Sequence, residues 1–247
     1  MFITDDGIQL HIEIERPEQT GPLPMVILSH GFTGHMEEPH ILGIRDTILS
    51  SGYAVLRCEL YGHGQSGGEF RSHNLFKWLN NLMTIIDYAV NLPDVSDLYL
   101  AGHSQGGLAV MLAAAMKQDV IKGLIPLSPA VMIPEDAREG NLLGILFDPL
   151  HIPEEFEIEG EGPLSGNYTR AAQTIYAERI YPCYKGPVLM IHADADETVP
   201  YEVAETAAGN YENCRLVKIP GDTHCYDCHL DLVQQAIGEW LKEQRGE

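Results

Sequence analysis

Basic residues are scarce in this 247-residue chain. Fifteen Lys and Arg stand against 36 Asp and Glu, a formal net charge of −21. A surface that acidic repels phosphate backbones and anionic headgroups, so neither nucleic acid nor a membrane surface is an expected partner. No apolar run reaches the ~18 residues that a membrane span needs. The opening Met1-Phe2-Ile3-Thr4-Asp5-Asp6-Gly7 lacks the basic and apolar regions of a secretory signal. Cysteine is sparse and odd in number: Cys58, Cys183, Cys214, Cys225 and Cys228. That usage suits reduced thiols in a cytoplasm rather than a disulfide framework. Repeats and low-complexity tracts are absent. The expectation is a soluble, cytoplasmic, acidic protein; nothing in the sequence sets an oligomeric state.

What is present is ordinary globular composition, 45% hydrophobic and 21% charged, which excludes wholesale disorder. A length near 250 fits one α/β domain spanning residues 1–247. Ile8-Gln9-Leu10-His11-Ile12-Glu13-Ile14 alternates as a strand with one solvated face. The runs at 25–28, 54–56, 98–101, 123–127 and 188–191 are apolar throughout, as strands covered on both faces should be. A last strand is expected at 216–219. Helical patterns separate them at 39–51, 75–91, 105–117, 201–209 and 230–244. In the second, Leu75, Leu79, Leu82, Ile86 and Ala89 recur at three-and-four spacing and predict one buried stripe. Such alternation implies a mostly parallel, doubly wound sheet flanked by helices.

Residues 128–172 break the rhythm. They hold several Pro and Gly, many acids (Glu135, Asp136, Glu139, Glu154, Glu155, Glu157, Glu159 and Glu161 among them), and few apolar runs. A long irregular insertion in a compact domain is more often a lid or binding loop than a linker. Phe147, Ile152, Phe156, Leu164 and Tyr168 supply apolar surface for packing.

The sharpest chemical signal is Gly102-His103-Ser104-Gln105-Gly106, between a strand and an Ala-rich helix. That context is the one a G-x-S-x-G nucleophile elbow requires, with the serine lifted clear of the sheet. A serine hydroxyl needs a base held in the right tautomer by an acid. In chain order the acid should precede the histidine. Asp194 and Asp196 follow one strand, and His224 follows the last. His224 is the expected base, oriented by one acid of the 194/196 pair. The oxyanion needs two backbone donors. Gln105 N–H is one candidate; in Ser29-His30-Gly31-Phe32-Thr33-Gly34, Phe32 N–H is the better second and Thr33 the alternative.

A rival motif is Cys225-Tyr226-Asp227-Cys228-His229, which matches the C-x-x-C-H pattern of haem attachment. Haem attachment needs export, and a structural zinc site needs ligand pairs separated by a loop. Crowding within six residues fits neither, so no metal and no cofactor are expected; the segment reads as the start of the last helix with free thiols. Among 11 histidines, His103 reads as a packing or hydrogen-bonding neighbour of the elbow. His30, His63 and His192 read as loop ties.

Together, His30-Gly31-Phe32-Thr33-Gly34, Tyr61-Gly62-His63-Gly64-Gln65-Ser66, the elbow, Asp196-Glu197-Thr198-Val199-Pro200 and Gly221-Asp222-Thr223-His224 resemble an α/β-hydrolase. Over essentially its whole length the chain resembles the bacterial cinnamoyl (feruloyl) esterases of rumen and gut organisms. Leu75-Phe76-Lys77-Trp78-Leu79 and the phrase from Ile219 to Asp227 belong to that narrower group. The resemblance implies a triad of Ser104, Asp196 and His224, selecting Asp196 over Asp194, with Phe32 and Gln105 as oxyanion donors. It implies that the insertion is a small lid over an acyl pocket, where Asp136 and Tyr168 contact a phenolic ring. The expected substrate is then a small aromatic ester of the hydroxycinnamate type. A broad short-acyl carboxylesterase, a monoacylglycerol-type lipase and a non-catalytic binding protein are the alternatives. The chain departs from the pattern at Ala193 (usually Gly), at Glu59 (usually Asp) and in lacking a lid tryptophan near 156–159.

Overall fold

The computed structural model describes residues 1–246. The first half opens with three strands and alternates from the third on: β1 (Phe2–Asp5), β2 (Ile8–Glu15), β3 (Leu23–Ser29), α1 (Pro39–Ser50), β4 (Ala54–Cys58), α2 (Leu75–Val90), β5 (Val95–His103), α3 (Gln105–Met116) and β6 (Ile121–Leu127). Smaller elements follow: α4 (Ile133–Glu139), β7 (Asn141–Leu142), β8 (Ile145–Leu146), β9 (Glu155–Ile158), β10 (Gly162–Ser165), α5 (Asn167–Gln173) and α6 (Ala177–Ile180). The rhythm then resumes with β11 (Val188–Ala193), α7 (Tyr201–Gly209), β12 (Cys214–Ile219) and α8 (Leu230–Arg245).

Eight strands form one sheet in the order β1-β2-β4-β3-β5-β6-β11-β12. β1 and β2 run antiparallel at one edge; from β4 to β12 every pairing is parallel. This is the mostly parallel, helix-flanked sheet that the alternation predicts. β1 was not legible, because four residues carrying two polar side chains show no period. Its chain direction is set by pairing with β2, where Phe2 stands opposite His11.

The central strands are apolar on both faces because a core lies on each side. Met25 and Ile27 of β3 join one core with Trp78, Leu82 and Ile86 of α2. Val26 and Leu28 join the other with Ile41 and Ile44 of α1 and Ile237 and Trp240 of α8. Each fully buried aliphatic or aromatic side chain contributes about 1.5–3 kcal/mol. In α2 the expected stripe holds at Leu75, Leu82, Ile86 and Ala89, but Leu79 is half-buried and Trp78 fills the seam instead. Asn74 caps this helix, its Oδ1 accepting from Lys77 N–H at 3.0 Å.

Strand order also reverses where the site must form. The chain goes from β3 to β4 on one side, then crosses back over β3 to place β5 on the other. The carboxyl ends of β3 and β5 are therefore neighbours at a switch point, Ser29 opposite Gly102.

Residues 128–172 are not an irregular loop. They fold into α4, the β7–β8 and β9–β10 hairpins and most of α5. Two- and four-residue strands are too short to show a period, and each of these helices has only seven residues.

Candidate active site

Ser104 sits between β5 and α3 with φ 55° and ψ −121°. A non-glycine residue in that region is strained and persists only where its surroundings over-determine it. Here the backbone is pinned on both sides. Ser104 N–H donates to Leu127 at 2.9 Å, and Ser104 C=O accepts from Ala130 N–H at 3.0 Å and Leu108 N–H at 3.1 Å. The flanking glycines leave no room for side chains. A Cβ on Gly102 would collide with the Gly106 carbonyl, and one on Gly106 with the His30 carbonyl. α3 is buried from Gln105 through Ala114, which accounts for its small, apolar sequence. Among the described residues, Ser104 Oγ makes no hydrogen bond, and it lines a cleft of about 610 Å³ together with His224.

Behind His224 stands Asp196. His224 Nδ1 and Asp196 Oδ2 are 2.7 Å apart, and the carboxylate accepts Thr198 N–H at 2.9 Å and Val199 N–H at 2.8 Å on its other oxygen. His192 Nε2 lies 3.3 Å from the same Oδ2 and donates to Val199 C=O at 2.8 Å. Burial by itself would raise the Asp196 carboxyl, but hydrogen bonds from His192 and His224 outweigh it and hold the group below the usual carboxylate range. Asp194 does a different job: its Oδ1 accepts Gly221 N–H at 2.6 Å, tying the β11 turn to the His224 loop. The geometry thus separates the two acids left open by spacing.

On the other wall, Phe32 and Thr33 follow β3 in a turn where Thr33 has φ 58°. Neither Phe32 N–H nor Gln105 N–H is used in a hydrogen bond among the described residues. Phe32 lies in the turn after β3 and Gln105 opens α3 after β5, at the carboxyl ends of adjacent strands, which is where a pair of oxyanion donors must lie.

The insertion supplies the remaining wall. Leu143 and Ile145 of one hairpin and Glu157, Ile158 and Glu159 of the other line the cleft, facing Glu38, Thr198 and Cys225. Among the described residues that line the cleft, three are glutamates and none is Lys or Arg. Glu38 was missed by sequence reading, since its position in the chain bears no motif. Burial raises its carboxyl above the usual range.

Tyr168 and Asp136 are not among the cleft-lining residues. Tyr168 is buried, its hydroxyl donating to Gln105 Oε1 at 2.5 Å and its ring edge-on to Phe32. Burial raises its phenol, and nothing opposes that. Asp136 lies half-buried on α4; burial first, then Glu139 and Glu135, raise its carboxyl. The residues 225–229 form turns ahead of α8 rather than its first turn, because the Asp222 carboxylate holds Cys228 N–H and His229 N–H at 3.0 and 2.9 Å. Cys225 instead joins His40 and His103, with possible ligand atoms all within 4.8 Å of one another. The two imidazoles face each other at 3.3 Å, and burial pushes the Cys225 thiol up to about 11. His30 ties loops as expected, accepting Leu60 N–H on Nε2 at 3.2 Å.

A family profile described as serine aminopeptidase, S33 (Hydrolase_4) matches residues 20–152, just over half of the chain. Among solved structures, Est1E from Butyrivibrio proteoclasticus with ferulic acid bound is 52% identical, covers 100% of both chains and has a TM-score of 0.98. The mitochondrial palmitoyl-protein thioesterase ABHD10 of Bos taurus is 24% identical over 200 residues, 76% of this chain. The chain spans about 62% of the length of that relative. The mouse ABHD10 structure is 18% identical with a TM-score of 0.80 over 98% of each chain, a likeness of fold.

Proposed function

The chain belongs to the α/β-hydrolases, and from that premise we propose that it is a serine carboxylesterase acting on hydroxycinnamate esters. One observation carries the catalytic half of this reading: an unpartnered serine hydroxyl on a strained elbow shares a cleft with a histidine whose far nitrogen is bonded to a buried carboxylate. The substrate half rests on the 52% identity to a protein crystallised with ferulic acid.

In the proposed reaction, Asp196 accepts a hydrogen bond from His224 Nδ1–H, which fixes the tautomer that leaves Nε2 with a lone pair. Ser104 Oγ attacks the ester carbonyl carbon as its proton passes to His224 Nε2. Negative charge on the carbonyl oxygen is met by Phe32 N–H and Gln105 N–H, donors already oriented by the fold. Collapse expels the alcohol, which takes the proton from His224. Water then attacks the acyl-enzyme, with His224 again as base, releasing the carboxylic acid and restoring Ser104. Through this cycle Asp196 stays ionised, which its depressed carboxyl supports.

For the acyl end, we assign the insertion 128–172 as the lid. Tyr168 and Asp136 are the groups proposed to meet a para-hydroxyl. Supporting this, the Tyr168 hydroxyl is bonded to the side chain of Gln105, the residue after Ser104, and the half-buried Asp136 carboxylate can accept a phenol O–H. Side-by-side kinetics on methyl ferulate and a p-nitrophenyl ester series test the reading. A kcat/KM for methyl ferulate above that for p-nitrophenyl butyrate supports it; ready hydrolysis of short acyl esters without hydroxycinnamates overturns it in favour of a general carboxylesterase.

A further inference from the structure

His224 is carried by the loop between β12 and α8, five residues past the end of the strand. That loop is tied down at several points. Asp194 accepts Gly221 N–H, Asp222 accepts Cys228 and His229 N–H, and Tyr226 Oη lies 2.9 Å from Ser128 Oγ. All of these act at a distance from the imidazole. Among the described residues, one hydrogen bond reaches the His224 backbone itself: His103 Nε2 to His224 C=O, 2.9 Å.

The tautomers in this contact follow from chemistry. A carbonyl can only accept, so His103 must carry its proton on Nε2. His103 Nδ1 is then a bare lone pair, because burial keeps this ring neutral. His40 Nε2 faces that lone pair at 3.3 Å and must donate to it. Burial likewise holds His40 far below its ordinary value, at about 4. The result is a directed chain, His40 N–H to His103, His103 N–H to the His224 carbonyl. It is packed as well as bonded: the ring centroids are 4.4 Å apart for His40 and His103 and 4.6 Å for His103 and His224.

His103 is also the residue before Ser104. Its backbone closes β5, paired with Leu127 of β6, so its side chain is carried by the central sheet beside the pinned elbow. We propose that His103, backed by His40, is a positioning residue that yokes the base to the nucleophile, so that the elbow bearing Ser104 also fixes where His224 stands. The two reactive groups come from residues 120 apart in the chain, and this contact couples them without passing through Asp196. Asp196 sets the orientation of the ring; His103 sets the position of the backbone that carries it.

The proposal rests on the reading of Ser104 and His224 as nucleophile and base, and the test separates the two. Misplacing a catalytic group by about 1 Å can cost on the order of 100-fold. His103→Leu should therefore lower kcat by roughly 10- to 100-fold with KM within about twofold. His103→Gln keeps an amide N–H able to reach the carbonyl and should recover most of that loss. Melting temperatures are measured on both. Because a leucine at 103 can fail to fold, the tautomers are read independently by 15N chemical shifts of the wild-type histidines between pH 5 and 8. The expected result is His103 and His40 both protonated on Nε2 alone throughout. A proton on His103 Nδ1, a folded His103→Leu enzyme with wild-type kcat, or a His103→Gln enzyme no better than a folded His103→Leu overturns the yoke. If Ser104→Ala retains activity, it is the underlying reading that fails.

Discussion

The turns at the carboxyl ends of the sheet and the insertion at 128–172 face each other across one cleft, yet they are built on different terms. Asp196 is held by two backbone N–H groups and two imidazoles, and Ser104 by three backbone hydrogen bonds. The opposite wall is two small hairpins. Leu146 is 82% exposed, Leu150 is 86% exposed, and Glu157 and Glu159 point into solvent at the mouth. The groups proposed to hold the transition state are over-determined, whereas the hairpins of the insertion are lightly packed. Chemistry should accordingly be insensitive to changes in the insertion, and selectivity insensitive to changes in the turns.

The strongest way to break that division is at the proposed nucleophile. Ser104→Ala should cost about six decades in kcat, since nucleophile and base act as a unit, while leaving the melting temperature unchanged. A folded variant with more than a few per cent of wild-type activity would remove the serine from the mechanism. Next come the two acids. Asp196→Asn should cost about four decades by favouring the wrong tautomer of His224, and Asp194→Asn far less, because Asp194 only holds Gly221. Equal losses would place Asp194 in the chemistry.

On the insertion side the effects shrink. Tyr168→Phe and Asp136→Ala should each lower kcat/KM for ferulate and p-coumarate esters by up to about tenfold and spare cinnamate esters, the loss expected for one neutral hydrogen bond. Tyr168 makes this comparison sharp, since its hydroxyl also holds the Gln105 side chain. An equal loss on all three esters would move Tyr168 from the recognition wall to the catalytic one. The smallest effect concerns charge. With Glu38, Glu157 and Glu159 at the mouth and no cation opposite, a ferulate ester whose alcohol bears a carboxylate should react more slowly than its neutral methyl ester. Exposed charges act through screened water, so Glu157→Gln with Glu159→Gln should narrow the gap by about two- to fivefold at low salt and hardly at all at high salt. A gap indifferent to both salt and substitution would mean that shape, not charge, selects the alcohol.

Much of the scaffold was legible because its signals are local. Strands covered on both faces read as unbroken apolar runs, and five long helices fall within a residue or two of where periodicity and turn residues put them. The elbow is legible for a related reason: the glycines at 102 and 106 are demanded by backbone collisions a few residues away. The insertion was not, since its strands are too short to show a period and its helices have only seven residues each.

The sequence by itself determined the order of the serine, the acid pair and the histidine, and a sheet able to bring their turns to one edge. It could not choose between Asp194 and Asp196 by spacing, because both follow the same strand by a few residues. The choice belongs to tertiary structure: one carboxylate meets His224 Nδ1 at 2.7 Å and the other meets a backbone N–H of Gly221. Nor could it show that His103, one residue from the nucleophile, reaches a carbonyl 121 residues away. Hydrogen bonds of that kind have no periodicity and no preferred spacing, so only the folded chain, with β5 and the His224 loop at the same sheet edge, decides them.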